Sequence, residues 1–238
     1  MILTFDIETI PDLRPGAKEK FAATVKPPAN MTKVETIANW EATKRPAAIE
    51  AAWRKTALNG GAGKVATIAL AFEDEEPTSF YSDDWASEEG ERDTLLRFFQ
   101  CVEDRLDLNR GHGDSTRPLI VGHNVIAFDI RFLFQRCCVL RVPCPYWLPT
   151  QARPWDTDRV FDTMVAWVGH RDYARMDEIC EALGLPTKGS EFDNPDDEID
   201  GAGVWDAVAA GRIVDVATYC AADVERTRSM YWRMTFQF

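Results

Sequence analysis

Five short segments of the chain have the pattern of β-strands. Residues 2–7 are almost wholly apolar, as expected for a strand buried on both faces of a sheet. Residues 118–122 form a similar buried run, and 65–72, 78–81 and 159–162 are predicted as further strands. No internal repeat, low-complexity tract or Gly/Ser linker divides the chain, so residues 1–238 are predicted to form one domain.

Apolar residues at helical spacing predict the helices between and after these strands. Ser87 can cap a helix that runs toward Leu106, and the apolar positions from Ile126 to Cys137 follow one helical face that starts near Asn124. Further helices are predicted at 176–183, ended by Gly184, and at 201–211 and 212–234, whereas the acidic segment 191–200 is expected to be an exposed loop. Strands followed by alternating helices and strands predict a mixed α/β sandwich.

Residues 11–63 form an insertion that is too long for an ordinary connection. Two helices are predicted within it, one over 35–44 and one along the apolar face from Ile49 to Ala57, with a break at Pro46. We interpret this insertion as a candidate lid over a functional site.

Composition limits the class of protein. The chain is 45% hydrophobic and has no apolar stretch of membrane-spanning length, and Asp6 comes too early for a signal peptide, so we expect a cytoplasmic protein without a membrane partner. The six cysteines form no Cys-x-x-Cys pair, so we expect reduced thiols in or near the core. A net charge of −12 argues against a surface that wraps duplex DNA, although residues 11–64 carry ten Lys or Arg against five Asp or Glu. Contact with a polyanion must therefore be local or bridged by metal cations.

At three places in the sequence, carboxylates occur at positions that can face the core, where a charge is unfavourable. Asp6 and Glu8 lie two residues apart on the first strand, so both project from one face, although such a pair alone is more typical of a solvated strand end. Asp129 lies at the buried edge of its helix, where a surface acid behind an Asn124 cap is an equally good interpretation.

Asp223 is the sharpest case, because it lies near the centre of the apolar face of the last helix, one turn after Tyr219. A buried carboxylate requires protonation, a cationic partner or a metal, so pairing with a buried Arg is the alternative to a metal site. Four acids without matching histidines favour hard cations, Mg²⁺ or Mn²⁺, and two such ions about 4 Å apart would suit in-line phosphoryl displacement.

These residues occur in motifs that resemble a known enzyme superfamily. The segments Phe-Asp-Ile-Glu-Thr from Phe5, Gly-His-Asn-Val-Ile-Ala-Phe-Asp from Gly122 and Tyr-Cys-Ala-Ala-Asp-Val from Tyr219 resemble the three motifs of the Asp-Glu-Asp-Asp (DEDD) 3'-5' exonucleases. Tyr219 points to the tyrosine (DEDDy) branch, since the histidine branch would have His in place of Thr218. The Leu-Gly-Leu-Pro run from Leu183 and the Asp-Gly-Ala run from Asp200 resemble stand-alone exonucleases related to family B DNA polymerases, and the basic insertion resembles the phage-associated subset.

The resemblance implies a ribonuclease H-like fold, a mixed five-stranded sheet flanked by helices. It also implies a two-metal nuclease that hydrolyses single-stranded DNA from the 3' end to nucleoside 5'-monophosphates. Asp6 would bridge both ions, Glu8 and Asp223 would hold the ion that activates water, and Asp129 would hold the leaving-group ion. Tyr219 would orient the attacking water.

Further residues are candidates for contact with the substrate strand: Thr9, Asn124, Phe128, Arg54 and Lys55, with Lys44 and Arg45 in the same insertion. Some of them have structural alternatives, namely packing for Phe128, a helix cap for Asn124 and a solvated helix surface for the basic residues. Trp147 or Trp155 could stack on a base, but buried anchors are the alternative interpretation. The other functional hypotheses are an exoribonuclease with the same site, a catalytically silent nucleic-acid-binding module and a protein adaptor.

Overall fold

A mixed five-stranded sheet organises the protein. The computed structural model describes residues 1–110, 117–192 and 199–237, without the side chains of 108–110. The strands are β1 (Ile2–Ile10), β2 (Lys64–Phe72), β3 (Thr78–Tyr81), β4 (Leu119–Gly122) and β5 (Val160–Asp162), in the order β3-β2-β1-β4-β5. β1 pairs antiparallel with β2 and parallel with β4, so the predicted mixed sheet is confirmed, with β1 at its centre.

Nine α-helices are described around this sheet. They are α1 (Ala17–Thr24), α2 (Val34–Thr43), α3 (Arg45–Arg54), α4 (Glu88–Arg110), α5 (Asp129–Leu140), α6 (Thr163–Val168), α7 (Met176–Leu183), α8 (Val204–Ala209) and α9 (Ile213–Met234). Among them, α4 begins where Ser87 Oγ accepts a hydrogen bond from the Gly90 amide, and Asp162 caps α6 through the amides of Met164 and Val165. The cap at Ser87 was predicted from the sequence.

The two faces of the sheet carry different helices. Leu3, Phe5 and Ile7 of β1 are buried in a large core that includes residues of α4 and α5. Because side chains alternate along a strand, Asp6 and Glu8 project to the opposite face, which α9 covers. The sheet therefore separates the main core from the side that carries the carboxylates.

The insertion is helical, as predicted, and it is bound to the rest of the chain at several points. It consists of α1, α2, α3 and a 3₁₀ turn at Lys55–Leu58, and Pro46 lies in the first turn of α3. Thr9 Oγ1 of β1 donates to the Ala57 carbonyl at 2.7 Å, and the Arg54 guanidinium donates to the two carboxylate oxygens of Asp206 in α8 at 2.6 and 2.8 Å. The end of the insertion is thus a fixed wall beside β1.

Several predicted boundaries are wrong. α5 starts at Asp129 rather than near Asn124, because residues 124–128 form turns in which Asn124 has a left-handed φ of 58°. β1 extends to Ile10 instead of ending at residue 7, since its pairing with β2 continues past a bulge at Glu8 and Thr9. α8 spans only Val204–Ala209, and residues 193–198 of the predicted acidic loop lie outside the described residues.

The two tryptophans proposed as possible base-stacking residues differ in their environment. Trp147 is fully buried against the rings of Phe98 and Phe99, as expected for a buried anchor. Trp155 is 65% exposed, with the Arg153 guanidinium over its ring, so the buried-anchor interpretation is wrong for Trp155.

The cysteines are all free thiols, as predicted. Cys137, Cys180 and Cys220 are buried, whereas Cys138 and Cys144 are exposed, so only part of the set lies in the core. None of the helices in the described ranges is long and apolar enough to cross a membrane.

Candidate functional site

Three acidic side chains from opposite ends of the chain meet on one face of the sheet. Asp6 and Glu8 project from β1, and Asp223 projects toward them from α9. One carboxylate oxygen from each of the three lies within 4.8 Å of the others. The structure therefore brings together residues that are more than 200 positions apart in the sequence.

Small side chains on the sheet let α9 approach close enough to make this cluster. Cys220 and Val224 of α9 pack on Ala69 and Ala71 of β2, the strand beside β1. Cys220 Sγ lies 3.4 Å from the Asp6 carbonyl oxygen and 3.6 Å from Asp6 Oδ2. Larger residues at 69 and 71 would hold the helix, and Asp223 with it, away from β1.

Asp129 lines the same cavity but is not part of the compact group of three. Its side chain is 3% exposed at the start of α5, and Oδ1 accepts a hydrogen bond from the Ile7 amide at 3.2 Å. The cavity that it shares with Asp6, Glu8 and Asp223 has a volume of about 620 Å³. The four predicted acids thus form a cluster of three with a fourth acid in the same cavity.

The carboxylates raise one another's pKa values. Burial, followed by the charge of Asp223, raises the pKa of Asp6 to about 7. Burial and then the charges of Asp6 and Asp223 hold the pKa of Glu8 well above its usual range, and burial and Asp6 do the same for Asp129. A positive charge placed among these groups would therefore be strongly stabilised.

Two cationic side chains contact Asp223, and the sequence analysis named neither of them. Lys188 Nζ lies 2.5 Å from Asp223 Oδ2, and Arg226 Nη1 lies 2.9 Å from Oδ1. Arg226 is 4% exposed and also pairs with Glu191, so the pairing with a buried Arg that we considered for Asp223 does occur.

A sequence signal existed for only one of these two cations. Arg226 lies three positions after Asp223 on the same helix, which is a spacing that predicts contact. Lys188 lies on the segment after α7, and no local pattern placed it in the site. Burial opposes the ammonium form of Lys188, but Asp223, Glu8 and Asp6 outweigh this effect and raise its pKa. Lys188 is therefore a fixed positive charge at the edge of the cluster.

Tyr219 is fully buried one helical turn before Asp223, as its spacing predicted. Its hydroxyl oxygen accepts a hydrogen bond from Lys188 Nζ, which lies 4.5 Å from the centroid of the tyrosine ring. Burial and the charges of Glu8 and Asp223 hold the pKa of the phenol far above its usual range. Tyr219 thus stays protonated and can orient a water molecule without acting as a base.

The other predicted contact residues lie at different distances from the cluster. Phe128 lines the cavity and packs on the Phe132 ring with centroids 5.6 Å apart, so part of its role is packing. The Asn124 amide donates to Asp162 Oδ1 at 2.9 Å, and Asn124 is not among the residues that line the cavity. Thr9 directly follows Glu8 and is bonded to the insertion.

The basic residues of the insertion are only partly available to a substrate. The Arg54 guanidinium is held by Glu50 and by both carboxylate oxygens of Asp206 at 2.6 and 2.8 Å. Arg45 bonds Glu41 and the Ala22 carbonyl. Lys44 and Lys55 are exposed, and Lys55 lies nearer to β1 because it begins the turn that bonds Thr9.

Three further residues that the sequence analysis did not assign to the site line the carboxylate cavity. His123 is half-buried, with Nδ1 3.0 Å from Thr163 Oγ1, and burial lowers its pKa. Tyr173, 71% exposed, and Arg175 lie on the segment before α7 at the mouth of the cavity. An exposed aromatic ring beside an exposed cation is a surface suited to single-stranded nucleic acid.

The donor set of the site suits a hard divalent cation. The donors of the cluster are carboxylate oxygens, which Mg²⁺ and Mn²⁺ prefer, and no thiolate or imidazole belongs to the group of three. No described residue donates a hydrogen bond to the Glu8 carboxylate in the structure, so it has oxygen lone pairs to offer. The residues present therefore fit a divalent metal ion.

Comparisons with known proteins bear on the family and the fold. Residues 62–237 match the family described as predicted 3'-5' exonucleases related to the exonuclease domain of PolB. The fold is similar to the family B DNA polymerase from the hyperthermophilic archaeon Pyrobaculum calidifontis, with a TM-score of 0.56 and 18% identity over 99% of this chain. This chain spans 24% of the length of that polymerase, and a search of curated proteins found no significant match. The likeness confirms the ribonuclease H-like fold class expected from the motifs.

Proposed function

Because the chain belongs to the family of predicted 3'-5' exonucleases related to the exonuclease domain of PolB, we propose that it removes nucleotides from the 3' end of single-stranded DNA in a metal-dependent reaction. The observation that carries this proposal is the convergence of Asp6, Glu8 and Asp223 within 4.8 Å in a cavity that also contains Asp129. Such a group of acids is costly to fold unless cations neutralise it.

The proposed cofactors are two divalent ions, Mg²⁺ or Mn²⁺. Asp6, Glu8 and Asp223 would hold one ion, and Asp129 together with Asp6 would hold the other. Bound divalent ions supply concentrated positive charge, which stabilises a phosphodiester transition state and lowers the pKa of an attacking water. The products would be nucleoside 5'-monophosphates.

Two of the chain's own side chains would contact the reacting groups: Tyr219 the attacking water and Lys188 the phosphate. Lys188 donates to the phenol oxygen, so the proton of Tyr219 is left to hydrogen-bond a water in the cavity. The Lys188 ammonium would also lie close to the negative charge that develops on the phosphodiester. Tyr173 and Arg175 at the cavity mouth would stack on a nucleobase and contact a phosphate of the incoming strand.

A nuclease assay with 5'-labelled oligonucleotides tests the proposal. Single- and double-stranded DNA and RNA are each incubated with Mg²⁺, Mn²⁺ or a chelator, and the products are separated by length. We expect stepwise shortening of single-stranded DNA from its 3' end, and no reaction with the chelator. Asp6→Asn should abolish turnover, whereas Asp83→Asn, at an exposed acid outside the cavity, should leave it unchanged.

Each other functional class predicts a different outcome of the same assay. Faster shortening of RNA than of DNA would identify an exoribonuclease that uses this site. Binding of single strands without turnover would identify a silent nucleic-acid-binding module, and neither binding nor turnover would favour a protein adaptor. Full activity of a clean Asp6→Asn preparation would refute the assignment of the carboxylates.

A further inference from the structure

A second cavity lies directly beside the carboxylate cavity. Its volume is about 460 Å³, within the range of about 300–1,000 Å³ that is common for ligand sites. Gly201 and Ala202 line both cavities, and Thr9, which lines the second one, is the residue after Glu8. We call this space the side cavity.

The side cavity is lined mainly by apolar side chains. The apolar residues among those that line it are Pro11, Ala51, Ala57, Leu58 and Trp205. Leu58 is 68% exposed, so a large apolar side chain faces water at a point where a ligand could cover it. An apolar, partly aromatic lining suits the flat face of a ring system.

The aromatic wall of the side cavity is held in place before any ligand arrives. The Trp205 ring makes edge contacts with Trp53 and Trp85, with centroids 5.2 and 6.2 Å away. Arg54 joins α3 to Asp206 of α8 through two hydrogen bonds. The cavity is therefore preformed, which reduces the entropy that a ligand must lose on binding.

A cation lies at the rim of this apolar space. Lys55 lines the side cavity and is exposed, and within residues 1–110, 117–192 and 199–237 no acidic side chain pairs with it. Its neighbour Arg54 is neutralised by Glu50 and Asp206. The side cavity thus combines an apolar floor with one ammonium group, which matches a nucleobase joined to a phosphate.

We propose that the side cavity receives the nucleobase of a nucleotide that flanks the scissile phosphate, while Lys55 contacts a phosphate of the same strand. This inference rests on the proposed exonuclease function, because that function places the scissile phosphate at the carboxylates. Most of the lining comes from β1 and the insertion, which lie outside residues 62–237 that match the family. The insertion therefore has a substrate-binding role in addition to its structural one.

Oligonucleotides that lack a single base test this proposal. Binding is measured by fluorescence anisotropy on the Asp6→Asn variant with Mg²⁺, using 5'-labelled single-stranded DNA that is intact, abasic at the 3'-terminal nucleotide or abasic at the penultimate one. Loss of the base in the side cavity should weaken binding about tenfold, the value expected for one lost base-stacking contact. The position at which the loss occurs identifies the nucleotide that is bound.

Variants of the side cavity should change binding only when that base is present. Ala51→Trp, which fills the cavity, and Leu58→Ala, which removes part of its floor, should each weaken binding of the intact strand and leave binding of the corresponding abasic strand unchanged. Val34→Ala is the matched control, since Val34 is 82% exposed in the same insertion and does not line the cavity. Thermal melting identifies any variant that fails to fold, and Leu58→Ala then decides the test.

The phosphate contact proposed for Lys55 is tested separately by the salt dependence of binding. Lys55→Ala should lower the slope of log Kd against log salt by about 0.7, the value for one phosphate contact on a single strand. Lys33→Ala, at another exposed lysine of the insertion, should leave the slope unchanged.

The outcomes separate this proposal from the exonuclease assignment. Equal affinity for intact and abasic strands, or equal losses on both in the cavity variants, would overturn the base-binding role even if the wild-type protein degrades DNA. Base-dependent binding by a wild-type protein without nuclease activity would refute the exonuclease assignment and support the side cavity.

Discussion

Removing one charge from the carboxylate cluster should stabilise the metal-free protein, and the effect should depend on pH. The pKa of Asp6 rises from 3.8 to about 7 on folding because of burial and the nearby Asp223 carboxylate. Since the folded state binds the proton more tightly than the unfolded chain, stability falls as pH rises from about 4 to about 7. Above that range both states are ionised and the full penalty is present.

The size of this penalty follows from the pKa difference. A difference of about three pKa units corresponds to about 4 kcal/mol at pH 8, and about 2 kcal/mol of it is already present at pH 5.5. Asp6→Asn keeps the shape of the side chain without its charge, so it should remove the penalty at both pH values. For a chain of this length, 4 kcal/mol corresponds to a rise in Tm of about 8–16 °C.

Urea unfolding with a chelator present measures this effect at pH 5.5 and pH 8. We expect Asp6→Asn to raise the free energy of unfolding at both pH values, with a gain about 2 kcal/mol larger at pH 8. Asp83→Asn should change neither value. Mg²⁺ should then stabilise the wild-type protein more than Asp6→Asn, because it binds the folded cluster. An equal gain at both pH values, or destabilisation by Asp6→Asn at pH 8, would refute the reasoning.

Three further predictions concern individual side chains. Tyr219→Phe removes the hydroxyl that orients water, so kcat should fall about 10²-fold or more while stabilisation by Mg²⁺ is retained; an unchanged kcat would show that the phenol has no role. Lys188→Met removes a cation from the cluster, so the loss of stability relative to the metal-free wild-type protein should be larger at pH 8, where the acids are ionised, than at pH 5.5; equal losses at the two pH values in chemical denaturation would contradict the contact with Asp223. Arg136→Met leaves Glu91 buried without its partner, so unfolding free energy should fall by about 3–5 kcal/mol; Arg97→Met, at an exposed ion pair, should cost about 1 kcal/mol or less, and equal losses would contradict the burial argument.

The sequence predicted the secondary structure well where a single pattern dominated. α7 and α9 match the predicted helices to within one residue, because strong apolar periodicity and a glycine at the end of α7 define them locally. α5 was predicted to begin about five residues early, since the apolar positions near Ile126 fit a helical face although the chain turns there. Turn geometry that depends on a distant partner, such as Asp162 bonding the Asn124 amide, leaves no local pattern.

Some residues of the site could also be predicted from local patterns, whereas others depend on contacts between distant parts of the chain. That Asp6 and Glu8 share a face follows from the alternation of side chains along a strand, and that Tyr219 and Asp223 are neighbours follows from the helical repeat. No such local pattern predicts that Lys188 lies beside the cluster, because its position depends on how the segment after α7 packs against α9.

The amino-acid sequence by itself determined which acids are present, on which elements they lie and to which superfamily their motifs are similar. Their placement on strands and helices could be predicted because repeats of two and 3.6 residues are local properties of the chain. Tertiary structure alone decided that three of the four acids form a compact group, that Lys188 pairs with Asp223, and that the end of the insertion forms a wall of the side cavity. These facts depend on distances between residues far apart in the chain, and such distances are set by the packing of helices on the sheet.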